Sequence, residues 1–253
     1  MNVLPLENPA DRTLGRILML QAQAIPDAPC YLVDDRCYTY GEVNRTVNRY
    51  AAGLKNLGVQ KDDRVIIFMR SCVEFIMMAF AANKLGAVWV PINGDYKGEW
   101  LREAIEESKG KVLVTDTDKY PRLADAVDSK SYQSLVVKVN AGGSLPAGAV
   151  DIASFEQLSD AEPYAVDISY GDTCAILWTS GTTGKSKGVM QPHNVWINAA
   201  ESAREYFAAK AGDVIYNCMP LYNTGAWITS VFRALIVGLP VALDENFSAS
   251  NFW

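Results

Sequence analysis

The chain has 253 residues, 49% of them hydrophobic and 21% charged, which is typical of one large globular domain or two smaller ones. Its formal net charge of −6 argues against a general nucleic-acid binder, because such proteins carry a basic face. Its five cysteines are scattered without C-x-x-C spacing, which disfavours a zinc or redox motif and favours reduced thiols in a cytoplasmic protein.

Helix and strand signals alternate along the first 140 residues. The predicted helices cover residues 13–24, 40–57, 72–85, 99–108 and 123–127, and the predicted strands cover residues 30–33, 37–39, 65–69, 88–91, 112–114 and 135–139. Residues 1–12 lack a signal-peptide pattern, and the most apolar stretch, residues 75–91, is shorter than the ~20 residues of a membrane span. Strands and helices at this spacing indicate βαβ units, and therefore an α/β fold with a mostly parallel sheet flanked by helices.

Two pairs of residues mark helix starts in this region. Thr39 with Glu42, and Ser71 with Glu74, have the spacing of a capping box, in which each side chain bonds a free backbone N–H group. Gly58 follows the first of these helices, at the position of a C-terminal cap.

The second part of the chain begins after a glycine-rich stretch, residues 141–148. This stretch is either a domain boundary or, as we favour, a surface excursion within one α/β unit. Beyond it we predict helices over residues 155–158, 193–209 and 226–237, and strands over residues 172–179, 214–218 and 241–243. Gly238 closes the last of these helices, and Ser250 resembles the N-cap of a further one.

Between the strand at 172–179 and the helix at 193–209 lies the most informative stretch. It reads Thr179, Ser180, Gly181, Thr182, Thr183, Gly184, Lys185, Ser186, Lys187, Gly188. Glycine lets a ligand approach the backbone, hydroxyls donate hydrogen bonds and lysines add positive charge, so the loop is predicted to cradle a polyphosphate. A Walker A loop is excluded because Thr179 stands where that motif needs glycine, and no GxGxxG fingerprint is present. Composition alone is equally compatible with an ordinary surface loop.

With its flanks, residues 177–190, this loop resembles the signature phosphate loop of the adenylate-forming superfamily, which includes acyl-CoA synthetases, firefly luciferase and peptide-synthetase adenylation domains. Further matches follow in order at residues 39–42, 58–65, 84–93 and 96–99. The last is most similar to acyl-CoA ligases of the fatty-acid and carnitine type. The resemblance covers nearly the whole chain and implies that residues 1–253 are the N-terminal portion of the family's large domain. Two α/β lobes joined near residues 141–170 are one arrangement that it allows.

The resemblance implies an ATP-dependent acyl-CoA synthetase that uses Mg²⁺, with coenzyme A as co-substrate. The residues implied to bind the ATP phosphates are Thr179, Ser180, Gly181, Thr182, Thr183, Gly184 and Lys187. Lys187 would also support catalysis through its charge. Ser186 stands where the family usually has proline, which predicts a slightly looser loop because proline restricts the backbone.

A second family motif matches residues 219–227. The residues implied to form the acid pocket are Tyr222, Asn223, Thr224, Gly225, Ala226 and Trp227. Asn223 stands where the family usually has histidine, and an amide can donate a hydrogen bond but does not titrate near neutral pH. Trp227 and Phe232 are equally compatible with a plain core. His193, the one histidine, is predicted to begin a helix rather than to act as a catalyst.

The family's adenine and ribose motifs, its hinge and the lysine of its C-terminal catalytic domain have no match in these 253 residues. We therefore expect an incomplete enzyme with little activity of its own. The expected partners are a carboxylic acid, ATP and coenzyme A, without nucleic acid or a transmembrane segment, and self-association is compatible with the sequence. Two alternatives stay open: a non-catalytic module that binds a nucleotide or a partner, and a peptide-synthetase adenylation domain.

Overall fold

The computed structural model describes residues 1–163, 167–179 and 187–250. The strands are β1 (Pro29–Val33), β2 (Arg36–Thr39), β3 (Arg64–Phe68), β4 (Val88–Pro91), β5 (Val112–Asp116), β6 (Ser134–Lys138), β7 (Val150–Asp151), β8 (Thr173–Thr179), β9 (Lys187–Pro192), β10 (Ile215–Asn217) and β11 (Val241–Leu243). The α-helices are α1 (Leu14–Ala24), α2 (Tyr40–Asn56), α3 (Val73–Lys84), α4 (Gly98–Ser108), α5 (Tyr120–Ala126), α6 (His193–Tyr206), α7 (Thr224–Ala226) and α8 (Phe232–Val237). Short 3₁₀ helices cover Pro9–Asp11, Ser129–Ser131 and Ile152–Gln157, and a π-helical turn, Trp227–Val231, joins α7 to α8.

The strands form two sheets. The seven-stranded sheet has the order β7-β6-β5-β3-β4-β8-β9 and is parallel except for the β8–β9 hairpin. The four-stranded sheet has the order β10-β11-β1-β2, with β1 and β2 antiparallel. Both sheets take strands from either side of residues 141–170, so a cut at that segment would divide both. A division into lobes there stays a prediction.

Helices cover both faces of the larger sheet, which confirms the predicted α/β class. Along β3, Val65 and Ile67 belong to one core cluster, and Ile66 and Phe68 to a second. The first cluster also contains residues of α1, α2, α3, α6 and α8, and the second contains residues of α4 and α5. Because both faces are covered, the central strands are continuous apolar runs without an alternating pattern. No helix in the described ranges is long and apolar enough to cross a membrane.

One of the two predicted capping boxes is confirmed and the other is wrong. The Glu42 N–H donates to Thr39 Oγ1 at 3.2 Å, and the Thr39 N–H donates to Glu42 Oε2 at 2.8 Å. At α3 the N-cap is Cys72, without a side-chain cap. Ser71 Oγ instead accepts the Leu221 N–H at 3.0 Å, and Glu74 pairs with Lys138 at 2.8 Å. Ser71 and Glu74, which the local pattern assigned to the start of α3, therefore bond residues that are distant in sequence.

Several other elements differ from the prediction, among them α5, which covers Tyr120–Ala126 rather than residues 123–127. Helix α6 ends at Tyr206 rather than at residue 209, and the helix predicted over 226–237 begins at Thr224 and contains the π-helical turn. Residues after the loop form β9, a strand that the sequence did not predict. Gly238 closes α8 at φ +66°, as predicted. The helix predicted to follow Ser250 lies outside the described residues.

The capping box predicts a measurable loss of stability. Thr39→Ala removes the hydroxyl that accepts the Glu42 N–H, and we expect it to lower the free energy of unfolding by about 1 kcal/mol. Urea denaturation monitored by circular dichroism would measure the change. Thr39→Ser keeps the acceptor and is the matched control, so equal losses in the two variants would contradict this role.

Candidate functional site

The β8–β9 hairpin presents both ends of the predicted phosphate loop. Thr179 is the last residue of β8 and Lys187 the first of β9, and the two are cross-strand partners. Thr179 Oγ1 donates to the Lys187 carbonyl at 3.4 Å, and both residues are exposed. The predicted phosphate ligands Ser180, Gly181, Thr182, Thr183 and Gly184, together with Lys185 and Ser186, lie outside the described residues.

Packing holds the hairpin rigidly below its tip. The Trp178 indole N–H donates to Ser108 Oγ at 3.3 Å, which links β8 to the end of α4. A Cβ atom at Gly188 would lie 2.9 Å from Ile176 Cγ2, because the Ile176 side chain fills the space above this glycine. The Cys174 thiol donates to the Gln191 carbonyl at 3.2 Å. Both ends of the loop therefore project from a fixed two-stranded base.

His193 fixes the other end of the hairpin. It is the first residue of α6, and its N–H donates to the Asp172 carbonyl at 3.2 Å. Its Nδ1 accepts the Leu14 N–H at 3.2 Å, at the start of α1. Burial lowers the pKa of His193 to about 4, although the negative charge of Asp172 acts to raise this pKa. His193 is thus neutral near pH 7 and lies at the opposite end of β9 from Lys187, and it begins α6 as predicted.

The second motif starts at the surface, between β10 and α7. Asn223 is exposed and caps α7, because its Oδ1 accepts the Gly225 N–H at 3.0 Å. That bond commits the oxygen of the amide and leaves its NH₂ group for other acceptors. Tyr222 is half-buried, and partial burial, with Asp95 next in importance, raises the pKa of its hydroxyl.

The same motif ends in the core. Trp227 is fully buried, and its indole N–H donates to the Leu221 carbonyl at 2.7 Å. Its ring centroid lies 4.4 Å from that of Trp89 and 5.2 Å from that of Phe232. Ala226 is also fully buried. The six predicted pocket residues are therefore split: Tyr222 to Gly225 face the surface or lie just beneath it, whereas Ala226 and Trp227 support them from inside.

Sequence reasoning missed a charged cluster where the parallel strands end. The Asp116 carboxylate, 1% exposed, accepts N–H groups from Arg70 at 2.7 Å and from Asp118 and Lys119 at 2.9 Å each. The Arg70 guanidinium lies 3.1 Å from Asp118 and 3.4 Å from Glu245, which follows β11 in the other sheet. The signal in the sequence was a charged residue directly after a buried strand, since ligands of α/β sheets bind at the carboxyl ends of strands.

Charge near the loop ends favours an anion. Among the described residues, no carboxylate lies within ion-pair distance of Lys187. The described part of the chain also contains no group of three or more His, Cys, Asp or Glu side chains arranged to hold a metal ion. An exposed lysine at the tip of the hairpin, with no described carboxylate to pair with, suits a phosphate oxygen.

Comparison with known proteins places most of the chain in one sequence family. The profile of a family described as AMP-binding enzyme matches residues 18–253. A crotonobetaine/carnitine–CoA ligase from Escherichia coli O127:H6 is 33% identical over 220 residues, which cover 85% of this chain and 42% of that relative. The chain thus spans less than half the length of the curated relatives that it matches.

Solved structures share the fold. The inhibitor-bound N-terminal domain of FACL13 from Mycobacterium tuberculosis gives a TM-score of 0.81 at 26% identity, covering 95% of this chain and 59% of that one. A fatty acyl-CoA synthetase from the same organism gives 0.79 at 24% identity, over 97% of this chain and 47% of that one. The anthranilate CoA ligase AuaEII, in complex with anthranoyl-AMP, gives 0.85 at 21% identity, over 96% and 46% of the two chains. The last two establish similarity of fold alone.

The buried histidine predicts a pH dependence of stability. Its pKa is about 4 in the folded chain and near 6.5 when unfolded, so the unfolded chain binds the proton more readily. The contribution of neutral His193 to the free energy of unfolding is therefore complete above about pH 6.5, and it declines as the pH falls toward 4. Between pH 6.5 and 4 we expect the free energy of unfolding to fall further in the wild type than in His193→Gln, by up to about 3 kcal/mol, because glutamine does not titrate. Urea unfolding at a series of pH values measures both slopes, and identical slopes would refute the prediction.

Proposed function

This chain belongs to the AMP-binding enzyme family, and we propose that it takes part in the ATP-dependent ligation of a carboxylic acid to the thiol of coenzyme A. The observation that carries the proposal is the pair Thr179 and Lys187, exposed opposite each other at the tip of the β8–β9 hairpin. The loop between them has the composition of a phosphate cradle. The curated relative that is 33% identical carries the name of a CoA ligase.

In the proposed reaction the acid is activated before the thiol attacks. A carboxylate oxygen attacks the α-phosphorus of ATP, the bond to pyrophosphate breaks, and an acyl-adenylate forms. The sulfur of coenzyme A then attacks the acyl carbon, AMP leaves, and a thioester results. The first step builds negative charge on the departing pyrophosphate, which fixed donors and cations stabilise more effectively than water does. Magnesium, which such sites hold largely through the phosphates and waters, would neutralise further charge.

Lys187 and Thr179 are the described residues suited to the pyrophosphate. The Lys187 ammonium is uncommitted among the described ion pairs, and the backbone that carries it is paired with Thr179 across the hairpin. Ser180, Gly181, Thr182, Thr183 and Gly184 complete the proposed cradle through their backbone N–H groups and hydroxyls. A charge held on a rigid hairpin needs little reorganisation when the phosphate arrives.

The acid is proposed to bind beside the surface part of the second motif. Because the Asn223 oxygen accepts the Gly225 N–H, its NH₂ group is the one that can donate to a carboxylate oxygen. Tyr222 and Thr224 flank it, and the buried Ala226 and Trp227 hold the segment in place. We propose an acid of the carnitine or fatty-acid type, in line with the name of the curated relative and with the resemblance of residues 96–99 to ligases of that type.

Titration calorimetry with ATP tests the phosphate role. Lys187→Ala should weaken ATP binding at least about tenfold, because a charge-assisted hydrogen bond contributes on the order of 1.5–3 kcal/mol. Lys130→Ala is the matched control, since Lys130 is exposed on the short 3₁₀ helix that precedes β6, and β5, β3 and β4 separate β6 from β8. Equal effects of the two substitutions would contradict the phosphate role. An absence of any ATP-dependent heat would favour an interaction module instead.

Exchange of labelled pyrophosphate into ATP tests how much of the reaction this chain performs. The chain spans 42% of its curated relative, so we expect the 253 residues alone to give no exchange above background with carnitine or fatty acids. The E. coli ligase, assayed in parallel, verifies the conditions. Robust exchange by the isolated chain would overturn this expectation while leaving the proposed ligase chemistry in place.

A further inference from the structure

The acid site of the proposed function is closed on its core side. The Trp227 indole N–H donates to the Leu221 carbonyl at 2.7 Å, so the ring lies beneath the backbone that leads to Asn223. Trp227 has no exposed surface, and its ring packs against those of Trp89 and Phe232. An acid whose carboxylate meets the Asn223 amide therefore finds no room for its tail among these core rings, and the tail extends over the surface.

A short turn lies at that surface, directly after strand β4. Residues 93–96 form it, because the Tyr96 N–H donates to the Asn93 carbonyl at 3.0 Å and the Asp95 N–H donates to Asn93 Oδ1 at 2.9 Å. Strand β4 also carries Trp89, whose ring packs against the second motif. The turn follows the carboxyl end of this strand, which is the edge at which ligands of α/β sheets bind.

The turn presents an uncompensated negative charge. Asp95 is exposed, and among the described residues none of the nearby cations Lys97, Lys119 and Arg122 lies within ion-pair distance of it. Lys119 Nζ and an Arg122 guanidinium N–H instead donate to the Gly94 carbonyl, at 2.9 and 3.0 Å. These two cations therefore fix the backbone of the turn and leave the Asp95 carboxylate to another partner.

Aromatic rings accompany this charge. The ring of Tyr96 lies 6.0 Å from that of Trp100, which is 68% exposed, and the two planes meet at 88°. Tyr222 of the second motif belongs to the same surface: burial raises the pKa of its hydroxyl, and Asp95 and Tyr96 raise it further. Aromatic faces beside a carboxylate are the surroundings that quaternary ammonium ligands prefer.

We propose that the acid carries a quaternary ammonium group at the end remote from its carboxylate, and that Asp95 binds this group together with the rings of Tyr96 and Trp100. The inference rests on the proposed function, because it takes the carboxylate to lie at the Asn223 amide. One zwitterionic acid then satisfies both ends of the site. A fatty acid would instead set an apolar tail against the Asp95 carboxylate and displace its water without compensation.

Two acids of the same shape test the proposal on the 253-residue chain. The probes are 4-(trimethylammonio)butanoate and 5,5-dimethylhexanoate, which differ only in that the tail of the first carries a positive charge. Saturation-transfer NMR titrations would give both dissociation constants. We expect the charged acid to bind about fivefold more tightly, which is the size of an exposed cation–π contact or surface ion pair.

Three variants locate the source of this preference. Asp95→Asn removes the charge at an exposed position and should reduce the preference to less than about twofold. Trp100→Leu removes one ring and should reduce the preference in part. The matched control is Asp35→Asn, in the exposed turn before β2, because β11 and β1 separate β2 from the strand that leads to the second motif. This control should keep the full preference, and circular dichroism verifies that each variant is folded.

The outcomes separate this inference from the function on which it rests. Equal affinities of the wild-type chain for the two acids would overturn the inference and leave the proposed ligase chemistry in place. A preference that survives unchanged in Asp95→Asn would also overturn it, because the cation would then be bound elsewhere. If neither acid binds, the inference falls together with the proposed acid site. ATP binding that still depends on Lys187 would then show that the phosphate role survives.

Discussion

The packing of Trp89 is the constraint on which the rest of the site depends. This residue is fully buried on β4, where it pairs with Ala175 of β8. Its ring contacts Trp227 at a centroid distance of 4.4 Å and Trp196, on α6, at 6.2 Å. One side chain therefore joins the hairpin that carries the phosphate loop, the helix that follows it and the helix that contains the second motif. Large aromatic side chains suit this junction because each buries much area with few rotatable bonds.

Around this junction, each functional segment is held from outside its own sequence. The second motif is fixed at Leu221, whose N–H donates to Ser71 Oγ and whose carbonyl accepts the Trp227 indole N–H. The base of the hairpin is fixed where His193 meets α1, and the strand ends at the carboxyl edge are fixed by Asp116. Function in such a fold rests on loops positioned by a rigid scaffold, so Ser71, Leu14 and Asp116 matter to the site even though they lie outside the matched motifs.

The departure at Asn223 illustrates how local chemistry narrows a role. The side-chain oxygen of Asn223 accepts the Gly225 N–H at the start of α7, and its NH₂ group remains a donor. Asn223 can therefore bind an anion but cannot carry a proton to or from it. The buried end of the motif behaves differently: Trp227 packs against Trp89 and Phe232 in the core, and its role as a pocket wall stays a prediction. Such a division within nine residues cannot be deduced from residue types, because it depends on which face of a helix meets the sheet.

The sequence by itself determined the α/β class, the succession of βαβ units, the capping box at Thr39 and the family, because these follow from periodicity, from short-range hydrogen bonds and from a contiguous loop signature. The tertiary structure alone decided that Ser71 bonds Leu221 and does not cap α3, that β9 pairs with β8 and that Lys84 is buried. That lysine interrupts an apolar stretch in the sequence, yet it is buried and donates to Asn44 and Asn48 at 2.7 Å each and to Glu162 at 2.6 Å. Its three partners come from α2 and from a loop far along the chain. A polar group finds its partners through the packing of elements, and a linear pattern carries no record of which distant elements will meet.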